Sequence, residues 1–323
     1  MRRIRASIVA GALALAGASD AQEQKTSRVG YLSPSTLSAE EIGRSAPFEV
    51  FRKRMSELGY IEGRNLAIEI RSMTSPGGLA GAASELVRRP VDVIVAPTNA
   101  SVEAARKATS SVPIVMWGTT DPLRSGFVAS LARPGGNVTG LSLQASELKG
   151  RALQLLKEVV PGLSRVAVLW DQSNYSAPPR DVQAAIAALG LAMVPIEVRK
   201  PEDLEAAFDA AARGNANAVL TAGAWYSYRE RIAKLAIDRR LPIIAPVVEY
   251  AEGGYLMAYG ASLIEQQRRT ADYVARILKG AKPADMPVEQ PTEFVLAINQ
   301  KTARALGLVI PPRVALQAAR VFD

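Results

Sequence analysis

From Arg28 onward the chain alternates short β-branched runs with longer segments of helical period, and this rhythm restricts the folds open to it. Val29 to Ser33 reads as a strand, Pro47 to Leu58 as a helix stopped by Gly59, and Leu66 to Arg71 as a strand. Leu79 to Arg89 reads as a helix, Val91 to Ala96 as a strand, Ala100 to Ala108 as a helix and Ile114 to Trp117 as a strand. Strands alternating with helices at this pitch form βαβ units, and such units build a parallel sheet covered on both faces. The turn-rich Pro134-Gly135-Gly136-Asn137 precedes a short extended run, Val138 to Leu143. Next, Leu148, Ala152, Leu155, Leu156 and Val159 mark one face of an amphipathic helix that Pro161-Gly162 closes.

The alternation then restarts. Strands at 165–170, 192–197, 218–222 and 243–246 are separated by helices through Ile186, through 202–213 and through 227–240. A further strand at 255–259, a helix from Ile264 to Lys279, a strand at 294–299 and a helix from Lys301 to Leu306 finish the chain. The expected architecture is α/β, two doubly wound parallel-sheet lobes joined by three crossovers near 140, 257 and 292. Lobe 1 takes residues 22–141 plus 260–291, and lobe 2 takes 142–259 plus 292–323.

Composition narrows the chemistry. The 323 residues include no His and no Cys, which excludes Ser-His-Asp and Cys-His nucleophilic machinery, disulfides, iron-sulfur clusters and thiolate-bound zinc. No cofactor is expected: the chain has no GxGxxG after a strand, no GxxxxGK[ST] and no GxSxG elbow. Asp121 and Asp171 are the carboxylates that a hydrolase reading would pair across a cleft, and that reading ranks below binding without catalysis.

The N-terminus supplies the address. Arg2, Arg3 and Arg5 precede an apolar run from Ala6 to Ala18, the pattern of a secretory signal occupying residues 1–21, cleaved after Ala18 or after Ala21. The run is shorter than the ~20 residues that cross a bilayer. Residues 1–21 hold three Arg and one Asp, so their loss lowers the formal net charge from +8 to +6. The remaining cations are interleaved with acids, as in Arg229-Glu230-Arg231, so no nucleic-acid partner is expected. The mature chain reads as a periplasmic monomer.

In open parallel sheets ligands bind beyond the carboxyl ends of the strands, and two facing lobes close on them by hinge motion. The candidate ligand-binding residues are therefore Ser33, Thr98, Asn99 and Asp121 in lobe 1, with Asn174, Trp225, Tyr226 and Glu249 in lobe 2. Thr98 and Asn99 open a helix whose N–H groups favour a carboxylate, or they cap that helix. Asp121 can pair with an ammonium or close an Asx turn before Pro122, and Trp225 and Tyr226 can stack on an aromatic ligand or pack within the lobe. Glu249, before Gly253-Gly254, reads as a contact or a hinge residue.

Several segments resemble one family. They are Gly59-Tyr60-Ile61-Glu62-Gly63-Arg64-Asn65-Leu66, Asp121-Pro122-Leu123 leading to Gly126-Phe127-Val128-Ala129-Ser130-Leu131, and Arg133-Pro134-Gly135-Gly136-Asn137-Val138-Thr139-Gly140. Gly253-Gly254-Tyr255-Leu256-Met257-Ala258-Tyr259-Gly260, Ile277 to Asp285 and the ending from Ile298-Asn299 to Pro311-Pro312 continue the match in order. Together they resemble the bacterial ABC transporter substrate-binding proteins of tryptophan and tyrosine type. The resemblance implies a type 1 periplasmic-binding fold and delivery of a small solute to an ABC permease in the inner membrane; with the enzyme motifs missing, the chain is expected to bind a small polar, amino-acid-like or aromatic ligand without catalysis. A periplasmic sensor that presents its bound form to a signalling receptor is the alternative. The chain departs from the family pattern at Ala258-Tyr259-Gly260, where many relatives carry Ser-Tyr-Gly, and at Ala222 to Tyr226, where no acid follows the glycine.

Overall fold

The computed structural model describes residues 26–75, 77–143, 145–171, 177–223 and 225–323, with the side chains of 145–147 excepted. The expected signal segment and Asn174 lie outside the described residues.

Lobe 1 begins with β1 (Ser27–Ser33), α1 (Ala39–Gly43), α2 (Ala46–Glu57), β2 (Leu66–Ser72) and α3 (Gly78–Arg88). It continues through β3 (Val93–Ala96), α4 (Asn99–Ala108), β4 (Ile114–Thr119) and β5 (Val138–Ser142). The five strands pair in parallel in the order β2-β1-β3-β4-β5. The sequence explains their depth: β3, Val-Ile-Val-Ala, is buried at every position because helices cover both faces of the sheet.

The chain then enters lobe 2 with α5 (Ala145–Val159), β6 (Arg165–Asp171), α6 (Arg180–Ala188), β7 (Ala192–Val198) and α7 (Leu204–Arg213). Next come β8 (Ala218–Ala222), α8 (Arg229–Asp238), β9 (Ile243–Val247), α9 (Glu249–Glu252) and β10 (Met257–Ala261). α10 (Leu263–Leu278) returns to lobe 1, where it packs on α2, β3, β4 and β5. The segment at 288–289 follows it along the edge of β5, with Glu289 N donating to Gly140 O and Ser142 N to Glu289 O. A last crossing brings β11 (Val295–Asn299), α11 (Gln300–Ala305), α12 (Pro312–Ala315) and β12 (Ala318–Phe322) to lobe 2.

The seven-stranded sheet of lobe 2 has the order β12-β11-β10-β9-β8-β6-β7. Its first five strands in chain order therefore repeat the arrangement of lobe 1, second-first-third-fourth-fifth. β11 is antiparallel to β10, and β12 runs parallel to β11. These two strands depart from a purely parallel sheet, and β12 carries no strand signal in the sequence because its Ala-Ala-Arg-Val-Phe is mostly exposed and shows no inward alternation.

The two crossing strands share one device. Gly140 in β5 has φ +126°, and a Cβ there would lie 2.1 Å from Met116 O. In β10 a Cβ on Gly260 would lie 1.8 Å from Pro246 O. Each glycine lets the fifth strand of its lobe press against the fourth where the register shifts, just before the chain leaves for the other lobe.

Candidate functional site

The carboxyl ends of both sheets face each other across a cavity of about 320 Å³. Each wall follows from the residues that end its strands.

In lobe 1, Tyr31 on β1 packs edge-on against Phe48 of α2, centroids 5.1 Å apart, and its hydroxyl accepts from Gln267 Nε2 on α10 at 2.8 Å. Burial pushes the Tyr31 pKa well above that of a free phenol, while the donors of Gln267 and Trp117 pull weakly the other way, so the hydroxyl stays protonated. Trp117 on β4 lines the cavity and is 8% exposed. Its indole N–H lies close enough to Tyr31 to act on that phenol, yet Nε1 is buried without a hydrogen-bond partner of ordinary geometry. Thr98 caps α4, its hydroxyl accepting from Ser101 N at 3.2 Å. Asn99 Oδ1 accepts from Thr120 N at 3.4 Å and ties the loop after β4 to the start of α4. The first N–H groups of a helix have no intrahelical acceptor, so α4 brings its positive end to the cavity wall.

Lobe 2 builds its wall from larger side chains. After Gly223, the 3₁₀ turn Tyr226–Tyr228 replaces a capped helix start. The Arg229 guanidinium lies 4.4 Å from the Tyr226 ring centroid, and its Nη1 donates to Tyr226 O at 3.1 Å and its Nη2 to Glu230 Oε1 at 3.0 Å. Tyr226 meets Tyr250 edge-on, centroids 6.2 Å apart. The Lys149 side chain, only 3% exposed, enters from α5 with its Nζ 2.8 Å from Asp181 Oδ2. Across the mouth, the Tyr228 hydroxyl hydrogen-bonds the Thr36 hydroxyl of lobe 1.

Of the residues expected from sequence, Ser33, Thr98, Asn99 and Tyr226 are brought together around the cavity. Asp121 is exposed and away from it, its Oδ1 accepting from Arg124 N at 3.0 Å, which is the turn-closing role. Trp225 is 5% exposed and packs into the apolar core beneath the wall instead of stacking at its surface. Glu249 is 2% exposed; it accepts from Ser262 Oγ at 2.5 Å, Leu263 N at 3.0 Å and Ile264 N at 3.4 Å, which caps α10 at the second crossing.

Reading only the residues after each strand misses Tyr31, Trp117, Lys149, Arg229 and Tyr250. For Lys149 a signal existed: it lies three and seven residues before Ala152 and Leu156, so the charge sits on the buried face of α5.

Comparison with known proteins decides the family. The model of the ABC transporter substrate binding protein family matches residues 40–322. The chain belongs to that family. Among its curated relatives is a tyrosine-binding protein of Clostridioides difficile (strain R20291), 26% identical over 262 residues that make up 80% of this chain and 75% of the relative. Among solved structures, a conserved domain protein from Vibrio cholerae superposes with a TM-score of 0.81 at 26% identity, covering 92% of this chain and all of that one. An ABC domain from Streptococcus pneumonia, solved in complex with L-Trp, gives 0.78 at 21% identity with the same coverage. These neighbours share the type 1 periplasmic-binding fold of two mostly parallel α/β lobes. No helix among the described residues is long and apolar enough to cross a membrane. Among the described residues no group of three or more acidic side chains is placed to hold a metal ion.

Proposed function

We propose that this chain is the periplasmic solute-binding component of an ABC importer. It captures a small, amino-acid-like or aromatic solute between its lobes and presents the closed form to a permease in the inner membrane. The observation that carries this reading is the cavity itself, enclosed by both lobes, walled by Tyr31, Trp117, Tyr226 and Tyr250 and edged by the N-terminus of α4. Aromatic walls with a few directed polar groups bind and orient a small organic molecule. Family membership supports the transport role, and the tyrosine-binding relative supports a ligand of that size. The Arg-led apolar segment of residues 1–18 supports export. The site carries no imidazole or thiol, and binding by shape, dipoles and hydrogen bonds needs neither.

Thermal unfolding against a panel of amino acids, aromatic acids, sugars and purines tests the proposal. A ligand at 100 times its Kd adds about 2.7 kcal/mol to stability. Chemical turnover of the stabilising compound would overturn the reading. Uptake measured with and without the protein separates import from sensing.

A further inference from the structure

We propose that the solute held in this cleft is an aromatic or apolar carboxylic acid without an amino group, an organic anion in place of a zwitterion. The proposal rests on the binding-cleft reading and sharpens its substrate class.

The ionised side chains described in the cavity lining have one sign. Among the described residues, the ionised side chains that line it are Lys149 and Arg229, and no carboxylate lines it. Both cations hold their acids outside the cavity lining: Lys149 has Asp181, and Arg229 has Glu230, an exposed residue on α8. The helix that points into the site does so with its positive end. In lobe 1 the indole N–H of Trp117 is buried against the cavity without an acceptor, beside a Tyr31 hydroxyl that already accepts from Gln267 and retains its own proton to donate. A buried donor without a partner is costly, and a ligand oxygen placed between these groups would relieve that cost.

Among the described residues, no carboxylate lines the cavity to receive an ammonium. Removing a cation from water is strongly unfavourable unless a carboxylate or several acceptors meet it. The described acids near the carboxyl ends of the strands stay out of the cavity lining. Asp121 is exposed in its own turn, and Glu249 is buried as the cap of α10. Asp171 stands behind the Gly223 turn, where a Cβ on Gly223 would lie 2.8 Å from its Cβ, and it does not line the cavity. The polarity of the cavity therefore matches one end of an amino acid and not the other.

Calorimetric titration of the purified protein with two matched series tests this. The first is 3-phenylpropanoate, phenylalanine and 3-phenylpropanamide; the second is indole-3-propanoate, tryptophan and indole-3-propanamide. In at least one series the acid is expected to bind at least about tenfold tighter than both the amino acid and the amide, the size of one charge-assisted hydrogen bond. Lys149→Met is expected to lower affinity for that acid at least tenfold and to leave the amide within threefold, whereas Lys149→Arg retains most of it. Trp117→Phe, which deletes the N–H and preserves an aromatic ring, is expected to cost the acid about threefold or more and keeps the test open if Lys149→Met does not fold.

An amino acid that binds as tightly as its acid overturns the inference and leaves the binding-protein reading standing. An amide that binds as tightly as its acid does the same, because the charge would then be irrelevant. Failure of all six compounds to bind overturns the inference alone, and the binding-protein reading then stands or falls with the wider thermal-unfolding panel.

Discussion

The two lobes use the same strand order and reach the cavity by opposite means. In lobe 1 the third strand leads directly into α4, so a capped helix end and its free N–H groups form the wall. In lobe 2 the corresponding strand β8 leads through Gly223 into a 3₁₀ turn, and the wall is made of Tyr226, Tyr228 and Arg229 side chains. The fourth strands diverge in the same way. β4 is followed by Asp121, exposed in a turn, and β9 by Glu249, buried and joined to three donors on the opposite side of the crossing. A repeated topology thus fixes where a site lies, while the loops after equivalent strands decide whether backbone or side chains meet the ligand.

The shared part of this comparison is the most exposed to test. Gly140→Ala and Gly260→Ala should each cost about 4 kcal/mol or more in urea unfolding, because the new methyl would overlap a carbonyl oxygen of the neighbouring strand. If either is tolerated, the two crossing strands are not equivalent. The divergent acids come next. Glu249→Ala should cost about 2–3 kcal/mol by orphaning the start of α10, and Asp121→Ala less than about 1. Equal losses would erase the distinction between them.

Buried tyrosines probe the two walls evenly. Burial raises the pKa of Tyr31 in lobe 1 and Tyr250 in lobe 2, so the folded state holds these protons to higher pH than the unfolded state does. Their contribution is complete below the unfolded value near pH 10 and falls as pH rises above it, by up to about 1.4 kcal/mol per pH unit for each group. Tyr31→Phe and Tyr250→Phe should each flatten the alkaline limb of a stability-against-pH curve; a limb unchanged by either would place its stabilisation elsewhere. The smallest effects concern the wall ends. Thr98→Ala should lower stability by about 1 kcal/mol through loss of its cap. Tyr228→Phe, at a turn without a side-chain cap, should stay within about 0.5 kcal/mol and should loosen the lobes in solution scattering by removing the bond to Thr36.

The architecture was legible because its signals are local: β-branched runs such as Val93 to Ala96, and punctuation such as Gly59 and Pro161-Gly162. The wall of the cavity was legible only where a strand ends in small polar residues, as at Ser33 and at Thr98-Asn99. Trp225 and Tyr226 are neighbours in sequence, and no pattern says that one ring enters the core and the other the cavity. Lys149 illustrates the same limit, since its partner Asp181 lies 32 residues away on α6. Glu249 acts on Ser262 and Leu263 through a crossing whose geometry only the folded chain supplies.

The order in which the chain is made has its own consequence here. Tyr31 is translated early, yet the glutamine that bonds its hydroxyl lies 236 residues later. When β5 has left the ribosome, α2 still lacks the helix that will cover it, and β5 lacks its edge segment. The first lobe is therefore an unfinished body until nearly the whole polypeptide exists, since early burial depends on contacts of long sequence separation. Such a chain completes its folding after synthesis rather than during it, and a fragment ending at Ser142 should remain without a stable core.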